Sequence, residues 1–483
     1  ESEQVPVQQD SVAVLPFVNM STDPEQEYFS DGITEEIINA VVKIPGISVP
    51  ARTSVFGYKG HQGDVRAIGE DLGVTHILEG SVRSQGNQVR ITAQLIKVDD
   101  GFHLWSETFD RNLENIFVVQ EEIAASIANV LVGELGVDLA AVPNRTANMQ
   151  AYDIYLKARA ELRQRQDEAI PLFEQVVEAD PGFAPAWAAL AIAYQSIIED
   201  NDLAIEAAGK ALAIDDDNVD ALSAMGGALR DKRRWLEAEQ YLDRALSIDP
   251  NSAELLEDYS EFLAFAGMSE DALIATTHGM EIDPQLGPLV LHHIEALLAT
   301  GQVTEAMEYA LEIMRRREDL ELFYWIFNMP VWFSPDESGN LARVPEVPAP
   351  PEGASELMLR AIELAKRAVE DADPSLIPQI RNSVNDELGS DDLDFWPSRL
   401  SSVLYRNLLI YLGDIDYVVQ RDIAFVDHYD GMPYHLWTPF TKQLRAHPSF
   451  GEYLDALKLV EYWDATSWPN WCERNEEGMV ICH

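Results

Sequence analysis

The feature that most constrains this chain is an internal period. Ala169, Ala204, Ala238, Ala272 and Ala306 recur at steps of 35, 34, 34 and 34 residues. Twelve residues after each alanine stands a candidate helix end: Pro181, Asp216, Pro250, Pro284 and Glu318. Between them run apolar patterns at helical spacing, Trp187-x-x-Leu190-Ala191-x-x-Tyr194 and then Met225-Gly226-x-x-Leu229. A period of this length marks a supersecondary unit that cannot bury its apolar face alone and must stack on its neighbours. Small Ala and Gly let two helices of a pair approach closely. Proline after the second helix cannot continue it and sets the turn. Residues 151–318 are therefore expected to be a stack of helix pairs.

Period, small residues and stop residue together resemble the tetratricopeptide repeat (TPR). The resemblance implies a superhelix with a concave face suited to an extended peptide or a partner helix. It assigns Ala169, Pro181, Trp187, Leu190, Tyr194, Ala204, Ala238, Pro250, Ala272, Pro284 and Ala306 to the scaffold. These are read as core and turn residues, not as ligand contacts. His292 and His293 are adjacent, so a helix sends them to different faces; a metal pair on a helix needs a spacing of three or four. The basic runs Arg230 to Arg234 and Arg315 to Arg317 read as solvated helix ends, where cations are favoured.

Ahead of the repeats, residues 1–10 read as a linker and residues 11–140 as an α/β domain with a mixed sheet, followed by a second linker at 141–150. Ser11 to Phe17 and Ile47 to Ala51 are expected to be strands. Ser30 or Asp31 is expected to cap a helix whose apolar face is Ile33, Ile37, Val41 and Ile44. Thr75 to Arg83, Gln88 to Ile96 and Phe102 to Phe109 read as a meander, with period-two alternation in the middle strand. A helix over 114–135 closes the domain. The segments VAVLPF, YFSDGITEEI, GVTHILEGSVR, VRITAQLI, HLWSETFDR and FVVQEEIAASI resemble, in order, the TolB amino-terminal-like domain. The resemblance implies company: such domains stand beside TPRs in bacterial CadC-like transcription regulators and in proteins described as adenylate cyclases. It implies no catalytic residues.

Residues 319–483 carry a weaker pattern. They are expected to be a degenerate TPR-like helical region with a turn at Leu412-Gly413-Asp414, ending in a cap rich in Trp and Pro that closes the solenoid. Cys472 and Cys482 are the two cysteines. Even parity and close spacing fit one disulfide and an oxidising compartment, though two free thiols in a cytosolic protein fit as well. Arg445, His447 and Asp464 were weighed as an active site, and the structural reading of the histidine is preferred.

The net charge is −49. Acids outnumber bases by 14 in residues 1–140, by 20 in 151–318 and by 16 in 319–483, so the excess is not a tail. Such a chain is repelled by phosphate backbones and anionic lipid. The partner expected is a protein or peptide, not nucleic acid, with an oligomer possible. No apolar run is long enough to span a bilayer, and Glu1 in the first position suggests that a segment upstream, an anchor among the candidates, has been removed. There is no P-loop, no GxGxxG and no His/Cys ligand cluster, so no cofactor, no metal and no enzymatic activity are expected. The reading is a non-enzymatic sensory or scaffolding module of a bacterial envelope protein, periplasmic and tethered to the inner membrane. Its rivals are a structural assembly subunit, and an accessory region of a cyclase or regulator.

Overall fold

In the computed structural model, the described residues are 11–21, 26–42, 47–60, 63–85, 88–112, 126, 148–163, 166–316, 325, 328–334, 348, 356–371, 373–388, 404–424, 436–475 and 478–482. The class is the expected one, a mixed sheet with helices followed by a helical region, which ends in a two-stranded sheet. The helix expected over 114–135 lies almost wholly outside the described residues. The chain forms two compact units. The first holds residues 1–231, 237–258 and 278–286; the second holds 232–236, 259–277 and 287–483.

The sheet belongs to the first unit. Its strand order is β1 (Val12–Val14), β3 (His76–Gln85), β4 (Gln88–Lys97), β5 (His103–Asn112), and β2 (Val18–Asn19) also pairs with β3. β1 and β2 run parallel to β3, and β3, β4 and β5 form an antiparallel meander. Alternation decides the faces. Val89, Ile91, Ala93 and Leu95 of β4 are buried, whereas Gln88 and Arg90 are exposed. Gly80 sits where a Cβ would collide with the Thr92 carbonyl and the Phe17 ring. Among the described residues, helices α1 (Glu27–Val42), α2 (Arg52–Phe56) and α3 (Val65–Asp71) accompany the sheet.

Two local expectations fail here. Ile47 to Ala51 is not a strand; only Ser48 makes an isolated parallel bridge, to Ser11. Pro50 offers no N–H to extend a ladder. Helix α1 starts at Glu27, so Ser30 and Asp31 lie inside it, buried, and are not caps. Asp31 instead accepts an ion pair from Lys59 at 2.6 Å.

The repeats follow as alternating first and second helices. First helices are α4 (Met149–Arg163), α6 (Ala184–Ser196), α8 (Val219–Asp231), α10 (Ala253–Ala266) and α12 (Gly287–Ala299). Second helices are α5 (Ala169–Ala179), α7 (Asn201–Ile214), α9 (Trp235–Ile248), α11 (Ser269–Ile282) and α13 (Val303–Arg316). Clusters such as Ala188, Ala211 and Ala221, and Leu222, Ala245 and Leu255, tie one pair to the next. Gly226 of α8 faces α9 so closely that a Cβ would stand 2.6 Å from Leu242 Cγ.

In the second unit, Trp325 and Trp332 of the aromatic run are fully buried. The turn expected at 412–414 is present: Gly413 adopts φ +85 between a helix at 404–411 and one over Ile415–Ala424. The chain's end packs on helix termini of this unit. Trp463 Nε1 donates to the Ala266 carbonyl at 2.8 Å and Trp235 Nε1 to the Leu457 carbonyl at 2.7 Å. Gly267, at φ +83, lies under the Trp437 ring. Cys472 and Cys482 pair across a two-stranded antiparallel sheet and form a disulfide. No helix among the described residues is long and apolar enough to cross a membrane.

Candidate binding face

The five recurring alanines sit within the first four residues of second helices, and each is at most 1% exposed. No larger side chain fits where helix meets helix this closely. Leu190 and Tyr194 are buried, and the Tyr194 hydroxyl donates to Glu174 at 2.9 Å. Desolvation and that carboxylate push the phenol up to about 12. Trp187 is only half-buried; its indole donates to the Pro181 carbonyl at 3.0 Å, and Lys210 lies over its ring. Pro181 and Pro250 are exposed in turns, and Pro284 is half-buried. The alanines, Leu190 and Tyr194 are thus packed inside the helix pairs, and the prolines stand in the turns.

The aspartates preceding Pro181, Asp216 and Pro284 make the turns. Asp180 Oδ1 accepts from the Gly182 amide at 3.1 Å, and Asp215 Oδ1 from the Asp217 amide at 3.4 Å. Asp283 Oδ1 accepts likewise from Gln285 at 2.9 Å. Each is a side-chain turn that fixes the step between repeats. Asp283 differs in being fully buried and in using its second oxygen: Oδ2 accepts from the Ala51 amide at 2.7 Å. Burial raises its carboxyl above the ordinary range, and these amide donors oppose that rise. Ser54 Oγ is buried beside it without reaching hydrogen-bond geometry.

First helices are stitched side to side. In the first unit Gln195 Nε2 donates to Asp231 at 3.3 Å and the Ser223 hydroxyl to Asp258. In the second unit Ser260 meets His292 Nδ1 at 3.3 Å. The result is a continuous first-helix face within each unit. In the first unit α10 carries Glu254, with Glu257 and Asp258 three and four residues on, which puts the three on one stripe. Asp220 of α8 and Glu254 are both exposed. Desolvation by surrounding protein raises Glu254 to about 7, with Asp220 and Asp283 adding to the rise and Arg52 opposing it. Because its side chain reaches solvent, water damps part of this shift.

The α/β domain sits against this face within the first unit. Gly32 of α1 crosses α4 so closely that a Cβ would stand 2.5 Å from Leu156 Cδ2. Tyr28 donates to Asp153 of α4 at 2.5 Å. Glu35, 3% exposed, takes Arg52 Nε at 2.5 Å and Arg159 Nη2 of α4 at 3.1 Å. Gln285 donates to the Asp71 carbonyl and lies 3.3 Å from the Tyr58 hydroxyl.

The remaining sequence candidates do not assemble into a site. His292 and His293 reach different helices, as their adjacency implies. His293 Nδ1 is 2.9 Å from Thr276 Oγ1, its ring is edge-on to Tyr309, and burial lowers it to about 4. Arg445 donates to the Leu436 and Thr438 carbonyls at 2.7 and 2.8 Å and stacks on Trp471. His447 pairs with Asp416, and Asp464 pairs with Arg474. Arg230 and Arg233 are buried, against the solvated-end reading, whereas Arg315 and Arg316 are exposed. Arg317 lies outside the described residues. Among the described residues no group of three or more His, Cys, Asp or Glu is placed to hold a metal.

With this geometry in view, comparison with known proteins adds the following. Residues 8–126 match the family model of the HilA/YgeH-like transcriptional regulator, second domain. The chain is 45% identical over 188 residues to a protein described as putative adenylate cyclase 3 of Rhizobium meliloti (strain 1021). That stretch is 38% of this chain and 32% of the relative, so the chain spans about a third of the relative's length. Among solved structures, it is similar to Pseudomonas aeruginosa pilF, at 23% identity and TM-score 0.31, over 38% of this chain and 83% of that one. It is similar to MamA at 22% identity and TM-score 0.28, over 35% and 92%.

Proposed function

We propose that the chain is a non-enzymatic protein-binding module, in which the first-helix face of the repeats takes a peptide or partner helix. The observation that carries this reading is the stripe of Glu254, Glu257 and Asp258 beside exposed Asp220. These carboxylates stand on two neighbouring first helices, α8 and α10. The α/β domain, of the TolB-like kind, connects this face to a bacterial signalling protein; the regulator family matched by residues 8–126 supports that placement. The division at 11–140, 151–318 and 319–483 belongs to the same reading. So does a periplasmic location, which the Cys472–Cys482 disulfide supports, since such bonds persist in oxidising compartments.

Site-specific photocrosslinking tests the reading. A crosslinking residue in place of Glu257, on the first-helix face, is expected to trap one discrete partner protein. The same residue in place of Glu206, exposed on second helix α7, is expected to trap none. Equal trapping from both positions, or none from Glu257, would remove the face from the mechanism.

A further inference from the structure

We infer that residues 51–59 of the α/β domain are a built-in occupant of the repeats, seated on the start of α10 and the turn between α11 and α12, which a partner segment must displace. The inference rests on the peptide-binding reading above and names what the repeats already hold. Helix α2 has five residues, and no side chain of its own caps its start at Ala51. A helix this short is far from stable in isolation. Its neighbour α3 supplies its own cap, Asp64, which accepts from the Arg66 amide. For α2 that service comes from the repeats: Asp283 takes the Ala51 amide across 232 residues of sequence, and Glu254 of α10 faces the Arg52 amide.

Main-chain capture of this kind is how a groove holds a peptide whatever its side chains are. Side chains then fix the register. Arg52 ends on buried Glu35, which Arg159 of α4 shares. Arg52 also lies over the Phe56 ring, 4.2 Å from its centre. Tyr58 reaches Gln285, two residues past Asp283. Lys59 closes the segment on Asp31 and Glu27 at 2.6 and 3.0 Å. The repeats thus hold the segment mainly by its backbone, through Asp283 and Glu254, while its cations Arg52 and Lys59 pair with α1 of its own domain. Because it is tethered, it competes at an effective concentration on the order of millimolar.

The test uses the full chain and a fluorescent synthetic peptide of residues 47–60 as the probe, read by anisotropy. Wild type should bind it at least tenfold more weakly than a released variant, Ala51→Pro with Tyr58→Ala. Ala51 has φ −55, which proline accepts, so the first change deletes the amide donor without straining the backbone. Adding Asp283→Asn to the released variant should weaken binding a further tenfold. Amide exchange at residues 52–56 is read in parallel; Ala51→Pro alone serves as the released variant if the double change unfolds the domain. Equal binding by wild type and released variant would overturn the inference. So would absence of binding to a variant whose exchange shows the segment free, or unchanged exchange in every variant. A chain that binds the probe but traps nothing from position 257 would keep the self-docking and lose the partner-binding reading.

Discussion

Asp283 serves two structures with one carboxylate. One oxygen fixes the turn between repeats and the other holds the Ala51 amide. Asp283→Ala strips both amides of their acceptor in a buried place, and a chemical denaturation curve should show a loss of about 1–3 kcal/mol. Glu254 is predicted to set a pH dependence. Its carboxyl is raised to about 7 from an ordinary 4.5. The folded chain therefore holds a proton between those values that the unfolded chain releases. Stability should fall as pH rises through that window, with the penalty complete above 7. Glu254→Gln should flatten this slope and raise the melting temperature relative to wild type at pH 8 but not at pH 4.5. Melting curves at the two pH values check it. The turn role of an Asp before Pro was legible in the sequence, since the motif repeats in EADP, SIDP and EIDP. The second role was not, because its partner lies 232 residues away.

At the scale of elements, helix pairs were legible because period, alanines and stop residues are local signals. The stripe on α10 was equally available: Glu254, Glu257 and Asp258 follow helical spacing, and attention to charge along each first helix finds it. Misreadings came where tertiary contacts override local propensity. Ser30 and Asp31 suit a cap, yet α1 begins a turn earlier and Asp31 is spent on Lys59. Two glycines make the packing testable. Gly226→Val should cost about 1–3 kcal/mol, because the added carbons enter the space of Leu242. Gly209 of α7 has only Met225 Cε near, at 3.9 Å. Gly209→Ala should therefore stabilise the fold by about 0.5–1 kcal/mol. Urea midpoints of the two variants should move in opposite directions.

Across the whole molecule, each unit joins segments far apart in sequence, and the aromatic ending of the chain is the clearest case. Trp463 is 1% exposed and bonded to the Ala266 carbonyl. Trp463→Ala should cost about 3–5 kcal/mol, a loss that thermal unfolding would show. The Trp- and Pro-rich composition signalled a cap; which helix ends it covers needed the structure. In the first unit, the α/β domain and the repeats meet through Asp283, in the turn between α11 and α12. Amide exchange over residues 47–60, in wild type and in Asp283→Asn, measures that directly. Asparagine keeps the shape but replaces one acceptor with a donor, so one of the two amides loses its partner. Docking predicts a slow Ala51 amide in wild type and one at least tenfold faster in the variant. Exchange in both proteins as fast as in a free peptide would mean that this segment does not rest on the repeats.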